Sequence, residues 1–146
     1  MATIDSLMRV LHMLFAGVWV GGTLFMAGAV LPAARAGRLP GDSLEWILGR
    51  FSRVTMAAVV VMFVTGGHLA GQLYEVQGLL NRPSGHLVLT MTALWFVLAG
   101  LLHFGSRSLS DGLDDGTAED AVEASRTWFL AAAGVGLVLL VLAGLL

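Results

Sequence analysis

Four long apolar stretches alternate with short polar ones along this chain, and that pattern predicts four membrane spans at about residues 7–31, 51–72, 86–105 and 127–146. Runs of roughly 20 apolar residues are the length a helix needs to cross a bilayer. The expected fold class is an all-α integral membrane four-helix bundle, a single transmembrane domain over 1–146. In the first span the polar and aromatic residues recur at helical spacing: His12, Phe15/Ala16, Trp19, Gly22/Thr23 and Met26. In lipid such a stripe faces inward. Gly17, Gly21, Gly22 and Gly28 are expected to let neighbouring helices approach closely.

The boundaries follow from turn and cap chemistry. Pro32 is expected to end the first span. Asp42-Ser43-Leu44-Glu45 reads as a capping box, starting a helix that enters the membrane near Phe51. Tyr74 to Leu80 reads as a short interfacial piece, and Ser84 after Arg82-Pro83 as an N-cap. Arg107 suits the end of the third helix. An acidic loop then carries Asp111, Asp114, Asp115, Glu119, Asp120 and Glu123, with Thr117 opening a second capping box. The fourth span has no ionisable or hydroxyl side chain after Thr127, so it contributes packing through Gly134, Gly136 and Gly144.

Composition sharpens this picture. The chain is 57% hydrophobic and 12% charged, about half the charge of a soluble domain. Cysteine is absent, which excludes disulfides, thiolate metal sites and cysteine nucleophiles. Asp5, and the length of the apolar run behind it, argue against a cleaved signal peptide. Every basic residue is an arginine. Arg35, Arg38, Arg50, Arg53, Arg107 and Arg126 flank the two connections on one side, against Arg9 and Arg82 on the other. The arginine-rich side is therefore expected to be cytoplasmic, with both termini outside a cell membrane.

The candidate chemistry is imidazole. The zigzag of four spans carries His12, His68 and His86 to one face and leaves His103 alone near the other. Ionisable groups within spans point to partners or ligands, and imidazole binds copper and haem iron. The residues alone leave three readings open. One is a copper site of His12, His68 and His86, with or without a methionine such as Met8 or Met13. Another is a b-type haem held by His12 together with His68 or His86. The last is three rim residues, each separately satisfied, in a non-catalytic subunit. Met26, Met56, Met62 and Met91 read as filler, and His103 as a residue favoured by a helix C-terminus. No nucleophile–base pair, phosphate loop, zinc motif or nucleic-acid patch is present, so enzyme activity is not expected unless haem is bound.

Leu11-His12, Trp19-Val20-Gly21-Gly22 and Leu31-Pro32-Ala33, followed by Arg50-Phe51-Ser52-Arg53, Val64-Thr65-Gly66 and Pro83-Ser84-Gly85-His86-Leu87, resemble the copper resistance D (CopD) family up to about Arg107. The resemblance implies copper handling across the membrane, with a copper ion or copper chaperone as partner and a homo-oligomer or larger membrane complex as a compatible assembly. The first helices are also similar to HemJ-type four-helix haem proteins. Both groups are expected to carry a basic residue, usually lysine, about two turns into the third helix. Here that region reads Leu89-Thr90-Met91-Thr92, which counts against the haem oxidase and against any transport step needing that lysine.

Overall fold

A computed structural model describes residues 2–73 and 76–146. Its helices are α1 (Ala2–Phe25), α2 (Leu31–Arg35), α3 (Gly41–Leu73), α4 (Val76–Asn81), α5 (Pro83–Asp115) and α6 (Ala118–Ala143), with a π-helical turn at Met26–Val30 joining α1 to α2. Four continuous apolar segments are long enough to cross a membrane: Thr3–Arg35, Gly41–Gln72, Pro83–Asp115 and Ala118–Ala143. The protein is an all-α, multi-pass membrane bundle. Successive long helices run antiparallel; α1 packs chiefly on α3, and α5 on α6.

The helices run past the expected span ends. Pro32 does not stop the first one. The turn before it widens, with the Leu31 N–H reaching back to Met26 O, and a widened turn relieves the clash of a proline ring with the preceding carbonyl. The actual stop is Gly37, at φ +67°, where Arg38 N–H bonds Ala33 O and Gly37 N–H bonds Ala34 O, both at 3.0 Å. That is a glycine C-cap in the left-handed conformation. Likewise α5 runs through Gly105 and Arg107 to Asp115, so Asp111, Asp114 and Asp115 are helical and the connection to α6 is only Gly116 and Thr117. His103 is thus mid-helix, and the C-terminal dipole does not explain it.

Cap expectations divide. Thr117 caps α6, accepting from Asp120 N–H at 3.2 Å while donating to the Asp120 carboxylate at 2.8 Å. α3 starts at Gly41, with Leu44 N–H already bonded to Pro40 O, so Asp42 lies inside the first turn. Arg82 rather than Ser84 is the N-cap of α5, with Pro83 opening the helix. Of the interfacial piece, Val76–Asn81 is helical as α4, and Tyr74 and Glu75 lie outside the described residues.

The core forms where the four long helices meet. Trp19, Met26, Leu31, Leu44, Leu98, Leu102, Leu109, Val122 and Phe129 are almost fully buried. The inward stripe of α1 is as expected: Trp19, Thr23 and Met26 are buried, and His12, Phe15 and Ala16 half-buried. Three buried hydroxyls return to their own helices, Thr23 to Trp19 O, Thr65 to Val61 O and Ser125 to Ala121 O, because lipid offers them no other acceptor. Of the glycines expected to pack closely Gly136 does so, and Gly105 and Gly112 add two that were not expected. Gly17, Gly21 and Gly28 face open space, while added Cβ atoms would lie 2.9 Å from Trp128 at Gly105, 2.8 Å from Ala121 at Gly112 and 3.0 Å from Val20 at Gly136. Gly105 and Gly112 are contact points of the α5–α6 hairpin rather than helix breakers.

Candidate functional site

Helical geometry brings Asp5, Met8 and His12 onto one stripe of α1, and Thr65 and His68 onto one stripe of α3. The antiparallel packing of the two helices sets these stripes face to face. Two hydrogen bonds cross between them: His12 Nδ1 to Thr65 Oγ1 at 2.8 Å, and His68 Nε2 to Asp5 Oδ1 at 2.9 Å. The imidazole of His12 lies directly over Gly66, where a Cβ would come within 3.1 Å of its Cε1. Thr65 and Gly66 together form the seat of His12.

The protons of these bonds can be assigned from their partners. The Thr65 hydroxyl spends its only hydrogen on Val61 O, 2.6 Å away. It therefore accepts from His12, and Nδ1 carries the proton. Nε2 keeps its lone pair and has no hydrogen-bond partner among the described residues. A carboxylate and a carbonyl can only accept, so His68 donates to Asp5 from Nε2, and His86 donates to Leu80 O from Nε2 at 2.6 Å. Each imidazole gives one N–H to oxygen and leaves its other nitrogen basic. This is the pattern in which an outer oxygen orients a metal-ligating histidine.

His12, His68 and His86 do lie towards the same end of the bundle, but each has its own partner. Among the described residues no three His, Cys, Asp or Glu side chains gather as a metal site. His12 and His68 are half-buried, and His86 and His103 are exposed. Met13 is 69% exposed: one residue past His12 on a helix means a rotation of about 100°, which turns it away from the imidazole. Met8, four residues before His12, shares its stripe. Further in, the Trp19 and Trp95 rings meet edge to face at 6.4 Å, and Phe63 lies 6.0 Å from Trp95. Trp19 Nε1, Trp95 Nε1 and Thr55 Oγ1 are buried without a partner among the described residues, which costs about 1–3 kcal/mol for each such group.

The arginine-rich end has a different character. Arg35 pairs with Glu123 at 3.1 Å, and the Arg50 guanidinium lies 5.0 Å above the Trp46 ring. An open hollow lined by Asp42, Ser43, Trp46 and Ile47 lies on this side, remote from His12, His68 and His86.

A family model described as Copper resistance protein D matches residues 45–146. The chain belongs to that family. No curated protein and no solved structure matches it. The CopD match takes in Thr65, Gly66, His68 and His86. It also takes in α6, which the motif-level resemblance covered only as an apolar span. It begins after α1, so His12 and Trp19 lie outside it. Sequence reasoning missed Asp5 as the partner of His68, and Thr65 and Gly66 as the seat of His12. The three- and four-residue steps from Asp5 to Met8 to His12 were a signal for the first; nothing in the sequence pairs α1 with Thr65.

Proposed function

We propose that this CopD-family protein binds copper as cargo at the end of the bundle that carries its N-terminus, and takes part in moving it across the membrane. The observation that carries this reading is the bond from His12 Nδ1 to a Thr65 hydroxyl already committed to Val61 O. It holds the ring in one tautomer and leaves Nε2 as a half-buried base within a membrane span. His12 is the first ligand. His68, oriented by Asp5, offers Nδ1, and His86 offers Nδ1 from the rim. The arginine distribution supports an outward placement of this end, with both termini outside and the Arg35 and Arg126 side in the cytoplasm.

The test is a copper titration of the purified full chain, followed by its absorption spectrum. His12→Ala and His68→Ala should each weaken binding strongly and combine non-additively, as groups in one site do. His103→Ala should leave binding unchanged. Equal and additive losses from all four histidines would remove the shared site, and a Soret band would replace copper with haem.

A further inference from the structure

Arg50-Phe51-Ser52-Arg53 has no part in the histidine end, yet it sits at a defined depth. Phe51 is its inward peg. The Phe51 ring lies 6.2 Å from that of Phe129, and a Cβ on Gly22 would stand 3.6 Å from it. Phe129 and Trp128 in turn lie against Gly105 of α5. Four helices are thus level here, and the exposed rings of Trp128 and Phe104 meet at 5.7 Å. Exposed aromatic rings of this kind gather at a membrane–water boundary. From Phe51 to the end of α3 at Leu73 is about 33 Å at about 1.5 Å per residue, against about 30 Å of hydrocarbon. Both observations put the boundary at Phe51.

The two arginines straddle that boundary on the outer face of α3. Trp46, Arg50 and Arg53 follow one another at steps of four and three residues, so they share a stripe, and all three are exposed. Each guanidinium is drawn back one turn, away from the hydrocarbon. That of Arg50 lies 5.0 Å above the Trp46 ring, and Arg53 Nε donates to Gly49 O at 3.2 Å. Neither hold is ionic. Arg35 and Arg107 pair with Glu123 and Asp111, but no carboxylate pairs with Arg50 or Arg53 among the described residues, Glu45 one turn before Gly49 included. Two positive charges are therefore held in place without a counter-charge. Between them Gly49 leaves a notch, with nothing within 4 Å of where its Cβ would be. Towards the middle of the membrane the same stripe continues as Ala57, Val60 and Val64, all exposed.

We propose that Trp46, Gly49, Arg50 and Arg53 form a binding site for the headgroup phosphate of an anionic phospholipid, with an acyl chain lying along Ala57 and Val60. Guanidinium matches phosphate in fork geometry, and basic residues at the membrane surface favour anionic lipid. A zwitterionic headgroup would bring its own cation to the two arginines, so a lipid of net negative charge is preferred. The site is independent of the copper reading.

The experiment uses the full chain in detergent, with phosphatidylglycerol or phosphatidylcholine added, and native mass spectrometry reads the bound fraction. The wild type should hold one phosphatidylglycerol well above its affinity for phosphatidylcholine. Arg50→Gln/Arg53→Gln should weaken phosphatidylglycerol binding by about tenfold or more, since each arginine near an anionic surface accounts for roughly fivefold. Gly49→Leu changes no charge and meets no neighbour, yet it fills the notch and should weaken binding too. Arg107→Gln, which removes a paired arginine at similar depth, should leave it unchanged. Melting temperatures without lipid should match across the four proteins, which keeps a folding defect apart from a lost site. Equal wild-type affinity for the two lipids, or wild-type phosphatidylglycerol binding in the double variant or in Gly49→Leu, would overturn the site. Displacement of the lipid by inorganic phosphate would overturn its lipid nature and leave a site for soluble anions.

Discussion

The imidazole of His12 hangs from the hydroxyl of Thr65 across the α1–α3 interface, 2.8 Å from nitrogen to oxygen. Thr65 is 2% exposed, so water does not substitute for it. Its hydroxyl joins a backbone carbonyl of α3 to a side chain of α1, and it orients the one basic nitrogen that His12 has left.

Removing that hydroxyl separates orientation from ligation. Thr65→Val keeps the shape and deletes the acceptor, leaving His12 Nδ1–H unpaired. Copper affinity should fall by about 10–100-fold, the usual effect of losing an outer partner of a ligand histidine. Thr65→Ser should restore most of it. A chelator-competition titration of the three proteins reads the outcome; wild-type affinity in Thr65→Val would show that the bond has no part in binding.

Gly66 tests the seat of the ring. A Cβ there would stand 3.1 Å from His12 Cε1, so Gly66→Ala must shift the imidazole by a few tenths of an ångström. Gly66→Ala should weaken copper binding while the protein stays folded. Gly85→Ala should be worse for folding, because its Cβ would press on the backbone carbonyl oxygens of Gly78 and Leu79, which cannot swing aside as a side chain can. Gly17→Ala, in open space, should leave both stability and binding intact. Thermal unfolding in detergent ranks the three.

Charge at the two ends should matter unequally. The Arg35–Glu123 pair is about half exposed on both sides, and exposed pairs contribute about 0–1 kcal/mol. Glu123→Gln should shift the melting temperature little. Asp5→Asn removes the charge that faces His68 and should lower copper affinity if His68 is a ligand. An unchanged affinity would take His68 out of the site and leave His12 in it.

Protons compete with copper for imidazole nitrogen. Metal binding through histidine releases or excludes a proton, so affinity should fall as pH drops through the ordinary imidazole range near 6.5. Copper titrations at pH 7.5 and 5.5 read the difference; equal affinity at the two would take imidazole out of the site.

Orientation can be read with a membrane-impermeant thiol reagent, since the chain has no cysteine of its own. Ala36→Cys and Gln77→Cys put one label on each side at exposed positions. The Gln77 site should react in intact cells and the Ala36 site only after lysis. The reverse would place the histidine-bearing end in the cytoplasm.

What the sequence by itself determined is what depends on one helix at a time. Long apolar runs set the four spans, because a bilayer admits few alternatives to a helix. The helical period set the inward stripe of His12, Trp19, Thr23 and Met26, and Thr117 announced its own cap. The tertiary structure decided whatever depends on a second helix. Pro32 and Arg107 read locally as helix ends, yet a widened turn and a close helix pair carry the chain through both. Gly17 and Gly66 are the same residue type, and only the packing shows that His12 lies over Gly66. The sequence placed three histidines towards one end, but the oxygen that orients each ring, on Thr65, Asp5 or Leu80, lies on a different segment. The partner of a side chain across an interface is set by register between helices, and no periodicity within a single helix encodes it.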